Sequence, residues 1–383
     1  MHITSPTLTG LRNVMASTAC WREREPLVGL NKARAMLSDR IEGKWIDAFC
    51  EVFERCAVKR GDAAAILSET QSRALNVQLA ELALLRIGAR PFHLIVPTPR
   101  NPHPVSVRST GASEAIGGLT PVVAALGQAG FVVDCTLEGL MHAKETPAIL
   151  KAGARILVIS NEHPEALERL APDPALEARV RAAVKLLRSA RRMRVTSAAG
   201  SDLAVDMAGA MTVGVWGWTD RPGTLAHWPG GVVVSFPRSG SVNGTLVLDR
   251  GDVNLTFKRY LENPVRLTLA DDYVTKIEGE GTDAEMMRGY LASWGEREAY
   301  AVSHVGFGMN PKARYEALTM YDQRDTNGTE LRCVAGNFLF STGANEFAGR
   351  YTAGHFDLPV MRTTIEIDGT VLVRDGVLPD VFS

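Results

Sequence analysis

Cysteine is scarce in this chain, and long hydrophobic runs are missing from it. The five cysteines among 383 residues are widely scattered and include no CxxC pair, which argues against a disulfide framework and against a zinc knuckle. No apolar run approaches the length of about 18 residues that a membrane-spanning helix requires, and arginines interrupt the N-terminus where a signal peptide would be apolar. We therefore expect a cytoplasmic protein that is neither exported nor inserted in a membrane.

An excess of charge of either sign is also missing. The 42 basic and 43 acidic side chains leave a formal net charge of −1, so no general field attracts nucleic acid or an acidic membrane surface. The expected partners are small molecules and further copies of the chain, which predicts a homo-oligomer. The 45% hydrophobic composition is that of a globular protein, and the length exceeds what one hydrophobic core usually serves.

Phosphate-binding and nucleophile motifs are missing as well. Neither GxxxxGK[S/T] nor GxGxxG follows a predicted strand, and we interpret Gly117 and Gly118 as a turn or a helix-packing feature. No GxSxG elbow is present, and Cys333 has no flanking signature, so we interpret it as a core thiol. Nucleotide binding and hydrolysis by a serine or cysteine triad are therefore disfavoured.

The first half of the chain alternates short apolar strands with amphipathic helices. The pattern predicts strands at 63–67, 91–96, 131–134 and 155–159, and helices at 72–87, 114–128 and 176–189. Such alternation is typical of a mainly parallel sheet that helices cover on both faces. We therefore predict an α/β domain over residues 41–195, preceded by an N-terminal extension over residues 1–40.

After residue 194 the sequence changes to strands separated by Gly, Asn, Asp and Pro. The predicted strands lie at 211–218, 231–236, 244–249, 252–257, 265–269 and 274–278, and a predicted helix lies at 283–294. Asn243 and Gly244 form a hairpin signal. Residues 196–383 are therefore predicted to form an α+β domain with antiparallel strands, and this domain carries the candidate metal site.

Two histidines and one carboxylate near the end of the chain are the candidate metal ligands. On a strand, His355 and Asp357 project to the same side while Phe356 turns away. His304 lies in an apolar segment that runs into a Gly-rich turn, which indicates a buried strand. Such a set can hold one face of an octahedral Fe(II). The alternative is that these are structural histidines hydrogen-bonded in the core.

Two further histidines and two hydroxyls are candidate active-site groups. His227 precedes a predicted strand in a Pro/Gly turn, where a neutral imidazole could act as a general base; the alternative is an exposed loop histidine covered by Trp228. His142 follows a strand-like segment, where ligand sites often form. Ser341 and Thr342 follow a strongly apolar strand and could bind a substrate, although turn formation explains them equally well.

The chain resembles the 2,5-dihydroxypyridine 5,6-dioxygenases at several stretches that include these residues. The matching stretches are His227–Pro229, Gly244–Asp252, Phe257–Tyr260, Ser303–Gly308, Gly336–Gly343 and His355–Pro359. The resemblance covers most of the chain beyond residue 60 and is densest in the C-terminal half. Their combination is more specific than any single motif, and it implies a fold related to that of the M29 aminopeptidases.

The resemblance implies a mononuclear non-haem iron enzyme of pyridine and nicotinate degradation. In the family pattern the Fe(2+) ligands fall on His304, His355 and Asp357. The base histidine falls on His227, and a further pocket histidine falls on His142. The implied reaction cleaves a hydroxylated N-heteroaromatic ring with O2, and 2,5-dihydroxypyridine is converted to N-formylmaleamate.

Several aromatic side chains are candidates for the substrate pocket, and two departures from the related families bear on it. We expect Trp216, Trp218 and Phe307 to line an aromatic pocket. The peptidases place a metal-bridging glutamate where this chain has the segment 231–234, which reads Gly-Val-Val-Val, and this disfavours peptidase activity. Val215 stands where the dioxygenases are expected to have an acidic pocket residue, so it bears on which ring is bound.

Three alternatives to that reaction stay open at the level of the sequence. The first is a dioxygenase of the same type that acts on a different hydroxylated ring. The second is a metallo-aminopeptidase of the M29 type, which would bind two metal ions per chain rather than one iron. The third is a non-catalytic metal-binding protein that kept the fold, against which the retention of His227 argues.

Overall fold

The structure is a computed structural model, and it describes residues 40–105, 113–323 and 326–379. The predicted N-terminal extension therefore lies outside the described residues except for Arg40. Ile41 begins one compact unit that contains all of the elements below, and the division at residue 195 stays a prediction. Within the described ranges, every helix is too short or too polar to cross a membrane.

The helices form where apolar residues recur at helical spacing. The α-helices are α1 Gly43–Arg55, α2 Ala74–Ile87, α3 Thr120–Gln128, α4 Thr146–Lys151, α5 Pro164–Arg169, α6 Pro174–Ser189, α7 Gly281–Ser293, α8 Ala317–Met320 and α9 Thr329–Cys333, with 3-10 turns at Arg297–Tyr300 and Glu346–Ala348. The start of helix α6 is capped, because the Asp173 side chain accepts a hydrogen bond from the backbone N–H of Ala175 at 2.9 Å.

The strands supply most of the remaining regular structure. They are β1 Ala63–Glu69, β2 Arg90–Val96, β3 Phe131–Asp134, β4 Arg155–Val158, β5 Arg192–Thr196, β6 Asp202–Asp206, β7 Met211–Val215, β8 Leu225–His227, β9 Val232–Phe236, β10 Val242–Leu248, β11 Val253–Asn254, β12 Arg259–Tyr260, β13 Val265–Ala270, β14 Tyr273–Glu278, β15 Val302–Gly308, β16 Phe338–Asn345, β17 Arg350–Val360, β18 Thr364–Ile367 and β19 Thr370–Val373.

A parallel five-stranded sheet confirms the predicted α/β architecture. Its strand order is β2-β1-β3-β4-β8, and all four pairings are parallel. Strand β8 comes from beyond residue 195, so the second half of the chain completes this sheet. The carboxyl ends of parallel strands meet at one edge, which is where α/β proteins bind ligands. His227 ends β8 at that edge, and Asp134 ends β3 there.

The other strands of the described ranges form antiparallel sheets, as predicted for the second half of the chain. A seven-stranded sheet has the order β14-β13-β10-β6-β5-β18-β19, and a five-stranded sheet has the order β17-β16-β15-β9-β7. The five-stranded antiparallel sheet lies between two apolar cores. Val305, Phe307 and Phe338 fill the core on one face, whereas Val234 and Leu339 face the other. This alternation decides which side chains reach the candidate site.

Three predicted elements are shorter in the structure by three or more residues than the sequence indicated. The helix predicted over 114–128 begins only at Thr120, which places Pro121 in the first turn, where the missing N–H costs nothing. The strand predicted over 211–218 ends at Val215, because Gly217 has a φ of +109° and packs against Gly230. The strand predicted over 252–257 is reduced to the two residues of β11.

Candidate metal centre

Three neighbouring antiparallel strands bring the predicted ligands together. His304 lies on β15, while His355 and Asp357 lie on β17, and β16 between them pairs with both. Strand alternation turns His355 and Asp357 to the same face. Phe356 between them turns to the opposite face, where its ring packs 4.9 Å from that of Tyr290.

The ligand atoms of the three residues converge in a buried space. The Asp357 Oδ1 atom lies 3.2 Å from the His355 Nε2 atom and 3.7 Å from the His304 Nε2 atom. All three side chains are at least nine-tenths buried. Both imidazoles therefore direct Nε2 toward one carboxylate oxygen, which is the geometry expected of groups that share a metal ion.

A third imidazole joins this group. The His142 ring centroid lies 4.3 Å from that of His355 and 6.3 Å from that of His304. One nitrogen from each of the three histidines lies within 4.8 Å of the others, a spacing that could hold a metal ion. The geometry thus offers two alternative ligand sets, His304 and His355 with either Asp357 or His142. It brings together four residues that the sequence analysis singled out.

The protonation states suit metal binding. Burial lowers the pKa of His304 well below its ordinary value and lowers the pKa of His355 as well. Burial alone would raise the pKa of Asp357, but Arg332 and the two histidines hold it well below its usual range. Neutral imidazoles and an ionised carboxylate are the forms that bind a cation. The donor set therefore fits a divalent first-row metal ion such as Fe(2+).

Two neighbours fix the carboxylate of Asp357. The Arg332 Nε–H donates to Asp357 Oδ2 at 2.6 Å, and the Ser341 hydroxyl donates to Asp357 Oδ1. Arg332 is itself held because its Nη1–H donates to the Asn327 side-chain oxygen at 3.2 Å. With Oδ2 occupied by the guanidinium, Oδ1 is the oxygen that faces the histidines. Sequence reasoning found Ser341 but missed Arg332, which has no motif and gains its role through tertiary contact.

His227 is buried at the carboxyl edge of the parallel sheet and is not an exposed loop residue. Its Nδ1 lies 2.6 Å from the Pro229 carbonyl oxygen, and because a carbonyl only accepts, Nδ1 carries the proton. Nε2 is therefore left with the lone pair. Burial lowers the pKa of His227 to about 4, and the charges of Arg332 and Asp357 also act on it. The imidazole is thus neutral at physiological pH.

Some predicted pocket residues lie away from this cluster, and their placement corrects the expectation. Phe307 and Thr342 face the opposite side of the antiparallel sheet, because they occupy alternate positions to His304 and Ser341. Trp216 packs against Arg181 of helix α6, whose guanidinium lies 4.2 Å from the Trp216 ring centroid. These three side chains belong to the core or to the helix layer, where large aromatic and buried polar residues often serve packing alone.

Trp218 lies beside helix α1, whereas Val215 lies beside the turn that follows His227. Trp218 packs beside helix α1, with the Arg55 guanidinium 5.4 Å from its ring centroid. Val215 shares a sheet face with His304. It pairs with Val232 on strand β9, whereas His304 is level with Phe236, four residues further along the same strand. That offset corresponds to about 13 Å. Val215 lies instead next to the turn after His227, because its carbonyl accepts a hydrogen bond from Gly231.

Aromatic and acidic groups that the sequence analysis missed flank the histidines. The Phe236 ring lies 5.4 Å from the His304 ring and 5.0 Å from the Phe347 ring. Phe347 is 55% exposed. Glu346 lies next to His142. Phe236 on strand β9 is level with His304 on the neighbouring strand β15. The sequence alone could not show this, because it does not give the register between the two strands.

The fold and the site define the class of this chain: an α/β protein with a buried cluster of imidazole and carboxylate groups that could hold a metal ion. The chain belongs to the 2,5-dihydroxypyridine 5,6-dioxygenase family, whose sequence model matches residues 44–380. This confirms the family resemblance and the dioxygenase class predicted from the sequence.

Relatives support the same family. A 2,5-dihydroxypyridine 5,6-dioxygenase of Pseudomonas putida strain KT2440 is 35% identical over 338 residues, which are 87% of this chain and 95% of the relative. A structure of the 2,5-dihydroxypyridine dioxygenase from Pseudomonas putida KT2440 superposes with a TM-score of 0.82 at 33% identity, covering 88% of this chain and 96% of that one.

A more distant structure shows the fold alone. Wild-type AmpT from Thermus thermophilus, an M29 aminopeptidase, has a TM-score of 0.56 at 16% identity and covers 88% of this chain and 99% of that one. This likeness confirms that the fold is related to that of the aminopeptidases, as the sequence resemblance implied.

Proposed function

We propose that this protein is an Fe(2+)-dependent ring-cleaving dioxygenase of a hydroxylated N-heteroaromatic, with 2,5-dihydroxypyridine as substrate and N-formylmaleamate as product. The observation that carries the proposal is the convergence of two neutral imidazole nitrogens on one ionised carboxylate oxygen in a buried space. A dioxygenase has to hold a metal with open positions for a substrate oxygen and O2 together, and a three-residue set leaves such positions.

The metal is assigned to His304, His355 and Asp357. Asp357 is preferred over His142 as the third ligand because its Oδ1 atom already faces Nε2 of both other residues. His142 is then free to contact the substrate. When bound, Fe(2+) supplies the redox chemistry that couples O2 to an electron-rich ring. The residues around it orient the ring, move its protons and limit access of water.

His227 is assigned as the general base. Its Nδ1–H donates to the Pro229 carbonyl, so the lone pair on Nε2 is fixed and can accept the proton of a ring hydroxyl. Loss of that proton raises the electron density of the ring, which favours attack by oxygen. The neutral state of the imidazole, with its pKa lowered to about 4 by burial, keeps the base ready at physiological pH.

The exposed ring of Phe347 and the ring of Phe236 are proposed to contact the substrate ring. They extend from His304 toward the surface as a short row of aromatic side chains. Aromatic rings pack favourably on one another in offset or edge-on arrangements. This row replaces Trp216, Trp218 and Phe307 as the proposed aromatic wall.

Val215 is proposed to select among hydroxylated rings. An apolar side chain near the His227 turn leaves a polar ring atom without a partner, and such a mismatch can change specificity on the order of 10² or more. We expect the variant Val215→Glu to raise kcat/KM for 2,5-dihydroxypyridine relative to analogues that carry fewer polar groups or an added apolar substituent.

The measurement is oxygen uptake after anaerobic Fe(2+) reconstitution, with dihydroxypyridines, hydroxypicolinates and hydroquinones as substrates. Leu85→Glu is the control, since Leu85 is an exposed apolar residue on helix α2, outside the site. One iron per chain and uptake with a hydroxypyridine would support the proposed function. Two zinc or cobalt ions per chain with peptide hydrolysis would support the aminopeptidase instead.

We further propose that the protein is cytoplasmic and forms a homo-oligomer. The free thiols of Cys56, Cys135 and Cys333 are buried, which suits a reducing compartment. Among the described strands, β2 lies at an edge of the parallel sheet and carries the exposed side chains of Phe92 and Ile95; exposed apolar edge strands favour association. A monomeric mass in light scattering across micromolar concentrations would rule out the oligomer.

A further inference from the structure

The environment of His142 contains a carboxylate with no role in the site described so far. His142 lies in the turns between β3 and α4, and its side chain is only 5% exposed. The His142 Nδ1 atom lies 3.4 Å from the Glu346 Oε1 atom. Glu346 belongs to the 3-10 turn that joins β16 to β17, the two strands that carry Ser341 and the ligands His355 and Asp357.

The position of Glu346 is set by the backbone of this turn. The Asn345 side-chain oxygen accepts a hydrogen bond from the backbone N–H of Ala348 at 3.1 Å, and the Asn345 side-chain amide donates to the Pro237 carbonyl at 2.9 Å. Gly349 closes the turn with a φ of +70°. Glu346 is therefore directed at His142 by contacts that do not involve His142.

The chemistry of the pair fixes the tautomer of His142. An ionised carboxylate can only accept hydrogen bonds, so the Nδ1 atom that faces Glu346 has to carry the proton. In a neutral ring Nε2 then holds the lone pair. Carboxylates orient metal-site histidines in the same way in other proteins, where they fix both the tautomer and the ring direction.

His142 also lies beside the two histidines that are the proposed metal ligands. Its ring lies within 4.3 Å of the His355 ring and 6.3 Å of the His304 ring, measured between centroids. With Nδ1 committed to Glu346, Nε2 is the nitrogen that is left for a substrate in the site. An acceptor there suits a hydroxyl or a ring N–H of the substrate, distinct from the hydroxyl whose proton His227 takes.

We propose that Glu346 is a positioning residue that holds His142 as the Nδ1–H tautomer, so that His142 Nε2 accepts a hydrogen bond from a second donor of the substrate. This inference rests on the proposed function and deepens it. It identifies the substrate class as a ring with two separate donor groups, and it gives His142 a role in binding the substrate and not the metal.

The proposal is tested with Glu346→Ala, Glu346→Gln and Glu346→Asp in the full chain, with Glu262→Gln as the control. Glu262 is exposed, and its carboxylate makes no hydrogen bond or ion pair that the structure shows. The first measurement is ¹⁵N NMR of histidine-labelled protein loaded with Zn(2+), which reads the His142 tautomer directly. Loss of the signals in His142→Asn identifies them.

We expect a single Nδ1–H tautomer in the native chain and in Glu262→Gln, and loss of that fixed tautomer in Glu346→Ala. With Fe(2+), Glu346→Ala should lower kcat/KM by about 10- to 100-fold, the usual effect of losing a hydrogen bond to a charged group. Iron content should stay at the native level. Glu346→Asp should recover part of the activity, because it restores an accepting carboxylate, and should recover more than Glu346→Gln.

An unchanged His142 tautomer in Glu346→Ala would overturn the proposal. So would a loss of activity that follows a loss of iron, because Glu346 would then act on the metal. An equal loss in Glu262→Gln would mean that surface charge, and not positioning, controls the rate. If the native chain consumes no O2 with any ring, the proposed function fails, while the NMR measurement still decides whether Glu346 sets the tautomer.

Discussion

Replacing Asp357 by asparagine should remove iron from the protein and abolish oxygen uptake. The substitution keeps the shape of the side chain but removes the negative charge on which the two imidazole nitrogens converge. The loss of iron affinity should exceed the roughly 10- to 100-fold that loss of a ligand's hydrogen-bond partner costs. His304→Ala and His355→Ala should lose iron to the same extent. Iron content after anaerobic reconstitution and dialysis is the measurement.

Two further variants test whether the loss of iron is specific to the ligands. Asp220→Asn removes an exposed carboxylate outside the site and should leave iron binding unchanged. Arg332→Gln should lower iron affinity by about 10- to 100-fold, because the guanidinium that holds Asp357 Oδ2 is lost while all ligands remain. Circular dichroism should show that each variant keeps its secondary structure.

His142→Ala distinguishes the two possible ligand sets. If Asp357 is the third ligand, the His142 variant keeps its iron and loses activity only. Near-native iron in the Asp357 variant, together with loss of iron in the His142 variant, would instead assign the metal to His142, His304 and His355, whose nitrogens also lie within 4.8 Å of one another. Either result identifies the metal ligands.

Much of the fold could be predicted from the sequence because it depends on local patterns. Short apolar strands alternating with helices predicted the parallel sheet, and turn residues between later strands predicted the antiparallel ones. What failed were element ends set by tertiary contact. Pro121 lies in the first turn of its helix, and the sequence alone did not show that the helix starts there. Gly217 is visible in the sequence, but the end of its strand depends on the close packing of Gly217 against Gly230.

The same distinction explains which site residues were found. The two-residue spacing of His355 and Asp357 places both on one strand face whatever the partner strand is. The same alternation predicts that Phe307 faces away from His304, because the two residues are three positions apart on one strand. The structure places Phe307 in the core on the opposite face. Arg332 and Glu346 carry no such signal, because each acts through a residue far away in the sequence.

His227→Gln should keep iron at the native level and lower kcat by a factor on the order of 10² to 10⁴, the usual contribution of a positioned general base. Glutamine can occupy much of the same volume, but its amide is too weak a base to take a proton from a ring hydroxyl. The native imidazole is held with Nδ1–H on the Pro229 carbonyl, so no other atom of the side chain can do this work. Steady-state oxygen uptake together with iron analysis measures the effect.

The pH profile gives the His227 prediction a second measurement. Burial lowers the pKa of His227 to about 4, so the lone pair on Nε2 is available above that pH and is lost as pH falls through it. In the native enzyme, protonation of His227 should therefore not reduce kcat/KM near pH 6.5, where an ordinary histidine gains its proton. It should reduce kcat/KM as pH approaches 4. His93→Gln, which changes a half-exposed histidine on β2, should behave as the native chain does. Full activity of His227→Gln at every pH would show that His227 supports the turn before β9 and does not take the substrate proton.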